Sequence, residues 1–213
     1  MSRYLVPDLS PQARPKLSKL RPKVLFVAES PHIHEVEPAV ESERRPLCGA
    51  AGKAWWGTLT ELLEGETNSD VSLKHLIEFC GDWDIAVMNA VQVPLDPKVM
   101  KRFPDADPLR HVGFSKEAGP SFYKKQKGTP QLERTLKNLR DRLSEKSVKD
   151  LPIVALGNDS DWFLRQALSS EEVERRLMSK LPHPSAWWRR GGLYEKQARE
   201  KLAEIFERTG IRG

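Results

Sequence analysis

The sequence predicts an α/β protein, a three-layer α/β/α sandwich with a central, mostly parallel four-stranded sheet. Three observations predict it. Short, unbroken apolar runs such as Val24-Leu25-Phe26-Val27-Ala28 recur along the chain, and such runs suit strands buried on both faces. Segments with helical spacing of apolar residues separate them. Strands that alternate with helices call for a parallel sheet covered on both sides.

Taken in order, residues 1–22 are proline-rich and basic, with Arg14, Lys16, Lys19 and Arg21 and little periodicity. They read as an N-terminal arm that packs loosely as a surface extension or tracks phosphates; residues 23–213 form a single domain. The first strand, 24–28, stops at Glu29-Ser30-Pro31, where the proline disfavours α geometry at Ser30 and turns the chain into a loop. Residues 32–53 show no clear helix and end in the small-residue stretch Cys48-Gly49-Ala50-Ala51-Gly52. Helices are expected from about 54 to 63 and near 72–80, then a second buried strand, Asp84-Ile85-Ala86-Val87-Met88, ending at Asn89.

Residues 92–129 are broken by five prolines and carry many lysines and arginines; a stretch this long without periodicity is usually functional or mobile. Leu132, Leu136, Leu139 and Leu143 recur at helical spacing opposite a polar face. A third strand, Pro152-Ile153-Val154-Ala155-Leu156, leads through Gly157-Asn158 into a helix reaching Leu168. A fourth strand is expected near 176–181, running into Pro182-His183-Pro184-Ser185. An amphipathic helix over about 193–208 closes the chain, with Leu202, Ile205 and Phe206 inward.

Composition narrows the function classes. With 213 residues the chain has room for one substantial core. Two cysteines, Cys48 and Cys80, cannot build a disulfide framework, an iron–sulfur site or a four-cysteine zinc site by themselves. No apolar run approaches the roughly 18 residues of a membrane span, and the N-terminus lacks the apolar core of a signal peptide, so a soluble, cytoplasmic protein, monomeric and without membrane partners, is expected. A net charge of +5 suits an anionic partner such as nucleic acid.

In parallel sheets ligands bind at the carboxyl ends of the strands. Glu29, Asn89, Gly157 and His183 each follow a predicted strand, so four separate segments deliver polar groups to one edge. Read in order, Val27-Ala28-Glu29-Ser30-Pro31, Met88-Asn89-Ala90, Ala155-Leu156-Gly157-Asn158 and His183-Pro184-Ser185 resemble the uracil-DNA glycosylase superfamily. With Arg45-Pro46-Leu47-Cys48-Gly49-Ala50-Ala51-Gly52 downstream, the first segment looks most like the thermophile-type branch.

The resemblance implies an enzyme that hydrolyses the N-glycosidic bond of uracil or another deaminated base in single- or double-stranded DNA, with no metal and no cofactor. It places Glu29 where water is positioned or the cationic sugar supported, Asn89 where the base edge is read, and His183 where charge on the leaving base is stabilised. Ser30, Pro31, His32 and Leu47 fall in the substrate pocket. Ser185 matches an element that grips the backbone. Trp187 or Trp188 would fill the gap left by a flipped base, and Arg189 and Arg190 would hold phosphates. The residue types suit the chemistry: a carboxylate and a histidine donor stabilise the two ends of the charge separation, and an asparagine amide offers both donor and acceptor to a base edge.

The chain also departs from the branch. Leu47 replaces its stacking phenylalanine, for which Trp55 and Trp56 are candidate substitutes, with a helix-buried core position the favoured reading for at least one of them, and its four cluster cysteines are absent. Ala28 and His32 replace two glycines. Other readings remain for each residue: a cap or lysine partner for Glu29, a turn for Asn89, and surface packing for Trp187-Trp188-Arg189-Arg190. His32 and His34 beside Glu29 and Glu35 invite a metal reading but lack a third convincing ligand. Asp159 and Asp161 suit a helix N-terminus. Lys98, Lys101, Arg102, Lys124, Lys125 and Lys127 line a nucleic-acid path or a solvated loop. Alternatives to a DNA glycosylase are a superfamily member acting on another base or nucleotide, and a non-catalytic nucleic-acid-binding module. An unrelated nucleotide-binding fold lacks support, because no glycine-rich phosphate loop follows any strand.

Overall fold

Four parallel strands, β1 (Val24–Ala28), β2 (Ile85–Asn89), β3 (Ile153–Leu156) and β4 (Leu177–Leu181), form one sheet in the order β2-β1-β3-β4. The computed structural model describes residues 5–65, 73–95 and 127–212. Strands β1, β2 and β3 are buried at every position, which is why their sequences read as unbroken apolar runs and not as alternation. β4 lies at an edge and is half-exposed for most of its length.

Successive strand side chains point to opposite faces, and each face meets its own helical layer. Val24, Phe26, Ala28, Ile85, Val87, Val154 and Leu156 pack with Trp55, Trp56 and Leu59 of α2 (Ala50–Glu64), Leu76 and Phe79 of α3 (Leu73–Asp82), and Leu202, Ile205 and Phe206 of the C-terminal helix Leu193–Thr209. Leu25, Val27, Ala86, Met88, Ile153 and Ala155 pack with the four leucines of α4 (Pro130–Leu143) and with Trp162, Phe163 and Leu164 of α5 (Asn158–Ala167). The three-layer α/β/α arrangement follows from these two cores. Thr129 caps α4, its side chain accepting from the Leu132 N–H, and Pro130 fills the first turn where no donor is needed.

Two short helices lie where the sequence shows none. α1 (Ile33–Val36) is a single turn, too brief for periodicity to register. α6 (Ser170–Arg176) has seven residues and a reciprocal capping box between Ser169 and Glu172, a sequence signature of a helix start. The C-terminal helix is then α7 (Leu193–Thr209). α2 begins four residues before the expected start. Gly52 in its first turn reads as a loop residue, but packing demands it: a Cβ there would stand 1.8 Å from the Leu47 carbonyl oxygen. That same carbonyl accepts from Trp56 Nε1 at 2.9 Å, and Leu47 itself adopts φ 54°, an uncommon conformation for a bulky residue.

Residues 5–22 are knitted into the body and are not a loose arm. Leu9 forms an antiparallel bridge with Val87, at 2.8 and 3.0 Å, covering the open edge of β2 that would otherwise invite another strand. Leu17 and Leu20 enter the core, and Arg14 is buried, donating to the carbonyls of Pro7, Asp8, Ser42 and Arg44. Its charge serves chain folding there, not phosphate contact; Lys16, Lys19 and Arg21 remain exposed. Most of the irregular stretch 92–129, including Lys98, Lys101, Arg102, Lys124 and Lys125, lies outside the described residues. Among the described residues no helix is long and apolar enough to cross a membrane.

Candidate active-site cleft

The carboxyl edge of the sheet carries, in spatial order, Asn89, Glu29, Gly157 and His183. Hydrogen bonds past the strand ends hold it: the Ala90 N–H donates to Ala28 O (2.8 Å), Val91 N–H to Glu29 O (2.9 Å) and Gly157 N–H to Leu181 O (2.9 Å). A cleft of about 830 Å³ opens over this edge between β1, β3, β4 and α7. Glu29, Gly157, Asp159, His183 and Ser185 line it from the segments that follow the strands, Lys180 from β4, and Glu200, Lys201 and Glu204 from α7.

His183 is oriented by its own turn. Its Nδ1 accepts the Ser185 backbone N–H at 3.1 Å and lies 2.7 Å from Ser185 Oγ. A backbone N–H can only donate, so Nδ1 is the acceptor and the neutral ring carries its proton on Nε2. Burial lowers the ring's pKa to about 4, so the neutral form holds at physiological pH. Ser185 therefore sets the tautomer of the histidine, a contact the sequence spacing did not reveal.

Gly157 makes room for that ring. It has φ +103°, and a Cβ added to it would lie 3.0 Å from His183 Cβ. Gly157→Ala is therefore expected to lower stability by about 1–3 kcal/mol through backbone strain and to displace His183. Urea denaturation checks the first effect, and a changed titration of the His183 ring followed by NMR checks the second.

Asp159 is a cleft residue that sequence reasoning assigned only to helix capping. Its carboxyl is raised to about 6 by burial, and Oδ1 is buried without a hydrogen-bond partner. Its position three residues past the end of β3 is the signal that could have placed it here. The lining carboxylates Glu29, Asp159, Glu200 and Glu204 outnumber the lysines Lys180 and Lys201, which favours positive charge developing within the cleft. A neighbouring depression of about 650 Å³ shares Asn158 and Lys180 with the cleft and adds Lys127, Arg165, Asp161 and Trp162. Cations predominate there, so an anionic strand is better accommodated beside the cleft than in it.

The remaining predicted residues divide. Asn89 is buried one strand beyond Glu29 and does not line the cleft; its Nδ2 donates to Glu35 Oε2 at 3.0 Å. Leu47 sits in the core with Trp55 and Trp56 and not on the cleft wall, and both tryptophans are likewise core. Ser30 is half-buried, Pro31 buried and His32 exposed, all on the loop after β1. Trp187 corrects the expectation of a wedge: it is 1% exposed, packs near Trp55 at 6.0 Å between ring centroids, and donates from Nε1 to Pro182 O. The apolar contacts of its ring outweigh exposure beside a nucleic acid. Trp188 is 61% exposed, so it alone of the pair offers a ring to a partner. Arg189 and Arg190 begin the 3₁₀ turn Arg189–Gly192; their side chains fall outside the described set. His34 Nδ1 is hydrogen-bonded to Glu37 at 2.7 Å, and no metal-binding cluster of three or more such side chains occurs among the described residues.

Fold and cleft together define a parallel α/β/α sandwich with a histidine- and carboxylate-lined site at its carboxyl edge. No family model matches the chain, and no curated protein sequence matches it.

Proposed function

We propose that the protein is a uracil-DNA-glycosylase-like enzyme that hydrolyses the N-glycosidic bond of uracil or a related deaminated base in DNA. The observation that carries this reading is that Glu29 and His183 line one cleft, with His183 neutral and its proton on Nε2. Cleaving an N-glycosidic bond puts positive charge on the sugar and negative charge on the leaving base. Glu29 supports the sugar cation and positions the attacking water. His183 donates from Nε2 to a base carbonyl oxygen as that oxygen gains charge. The water's oxygen bonds to the anomeric carbon as its proton passes to the Glu29 carboxylate, the carbon–nitrogen bond breaks with its electron pair leaving on the base, the base takes up a proton from solvent, and the products are an abasic site and the free base. Trp188 stacks in the space the base leaves, and Lys180, Arg165 and Lys127 receive flanking phosphates.

The excess of carboxylates in the cleft favours, as a second reading, a neutral free nucleoside as substrate. One assay separates the two: release of labelled base from oligonucleotides containing uracil, hypoxanthine or xanthine, single-stranded and duplex, beside the corresponding free nucleosides. Release from DNA, reduced about 100-fold or more in Glu29→Ala, is the expected result. Release from nucleosides alone moves the assignment to the second reading. Absence of release from any substrate by folded protein overturns both.

A further inference from the structure

We propose that Asp159 is the acid of this cleft: it delivers a proton to N7 of a departing purine, and so makes deaminated purines, hypoxanthine above all, the substrate class the site favours. The inference rests on reading the cleft as a glycosylase site. For a purine, Asp159 takes the place of solvent as the source of the proton that the leaving base takes up.

Asp159 stands in the first turn of α5, where the positive end of a helix normally keeps an acid charged. Its surroundings oppose that. Oδ1 is buried with no hydrogen-bond partner, and burial raises the carboxyl to about 6. The residue is half-buried and lines the cavity, so Oδ2 is the oxygen left to meet the cleft. A carboxylate needs donors at both oxygens, and an unmatched buried oxygen penalises the charge. Oδ1 therefore suits the carbonyl of a neutral acid whose proton sits on Oδ2. The two lysines of the cleft are engaged elsewhere: Lys180 bonds to Asn158 Oδ1 at 2.9 Å, and Lys201 Nζ donates to Lys180 O at 3.5 Å. On its own helix, Asp161 pairs with Arg165 at 3.0 Å. The remaining titratable groups of the cavity are Glu29 after β1, His183 after β4, and Tyr194, Glu200 and Glu204 on α7. None of these shifts Asp159; burial does.

Such an acid helps a leaving base only where the base has a ring nitrogen that gains basicity as the bond breaks. Hypoxanthine and xanthine offer N7 beside the O6 carbonyl. One purine edge thus presents two adjacent acceptors to two donors of one cleft, O6 to His183 Nε2–H and N7 to Asp159 Oδ2–H. Uracil has no such nitrogen: N3 carries a hydrogen and N1 is bonded to the sugar. In the step, the N9–C1′ bond breaks with its electron pair going to N9 while the Oδ2 proton passes to N7. The neutral base departs as its N7–H tautomer. The water's oxygen bonds to C1′ as its proton passes to Glu29. Glu29 then gives that proton to solvent, and Asp159 takes one back.

Asp159→Asn is nearly isosteric but has no proton to transfer. The test compares single-turnover release of hypoxanthine and of uracil from otherwise identical oligonucleotides, by wild type and Asp159→Asn, from about pH 5 to 7.5. The ratio of the two rates cancels Glu29 and His183, which act on both bases. In wild type the ratio is expected to fall as pH rises through about 6, approaching roughly 10-fold per pH unit. In the variant it is expected to be flat and, at pH 5, lower by roughly 10-fold or more. Release of hypoxanthine alone, with the same pH dependence and the same loss in the variant, supports the proposal equally. A flat ratio in wild type, a variant with the wild-type ratio and profile, or release of uracil without hypoxanthine overturns the role of Asp159 while leaving the glycosylase reading intact. Should the variant fail to fold, the wild-type profile decides. Release of neither base by wild type overturns the reading on which the proposal rests, and the proposal with it.

Discussion

If the protein is the glycosylase proposed above, replacing His183 by alanine is expected to lower base release by about 100- to 1000-fold while the protein stays folded, because it removes an oriented donor proposed to meet the negative charge of the leaving base. Single-turnover rates on a uracil oligonucleotide measure it. The same variant changes the dependence of stability on pH, and the sign follows from the histidine's environment. In the folded protein its pKa is lowered from 6.5 to about 4. Between those values the unfolded chain binds more protons than the native one, so wild-type stability falls as pH falls through this window. The full effect is about 3 kcal/mol; above pH 6.5 the histidine contributes no slope. Asp159, raised from 3.8 to about 6, has the opposite sign over an overlapping range. The difference between wild type and His183→Ala therefore isolates the histidine, and chemical denaturation at pH 7 and pH 5 reads it. A pH-independent difference would show that His183 is not buried neutral.

The largest expected loss of stability comes from Arg142→Ala. Arg142 reaches from α4 to the end of β2 and is buried there. It pairs with Asp8 at 3.0 Å and donates to the carbonyls of Asn89 (2.9 Å) and Ala90 (2.8 Å). Asp8 is wholly buried, and desolvation raises its pKa even with Arg142 beside it. Removing the guanidinium takes the charged donor from that carboxyl, which keeps a hydrogen bond from Gln92, and a donor from two backbone oxygens, a change worth about 3–5 kcal/mol for a buried pair. A fall in melting temperature of roughly 10 °C corresponds. Asp8→Asn combined with Arg142→Ala is expected to lose less than the two single changes added, because each removes the other's stranded partner.

Sequence alone determined the strands and the order of the polar groups that follow them. Doubly buried strands must be written as continuous apolar runs, and a proline or glycine after the run marks where the chain leaves the sheet. Glu29, Gly157 and His183 could therefore be assigned to one edge before any coordinates. Pattern alone could not give the side-chain environments at that edge. The same tryptophan-rich, basic string after His183 suits a surface or a core, and only packing separated the buried Trp187 from the exposed Trp188. Arg14 looked like part of a basic arm because charge is visible in sequence and the carbonyls that surround it are not. Glu35 lies on a turn too short to show periodicity, and its partners come from segments far apart in the chain. Asp159 looked like an ordinary helix-capping acid until the cleft placed it in the same lining as His183. Local spacing reports which backbone conformations are favourable; contacts between distant segments are set by how the layers close. For that reason the tertiary structure decided which polar groups are buried, what they bond to and which charge they carry.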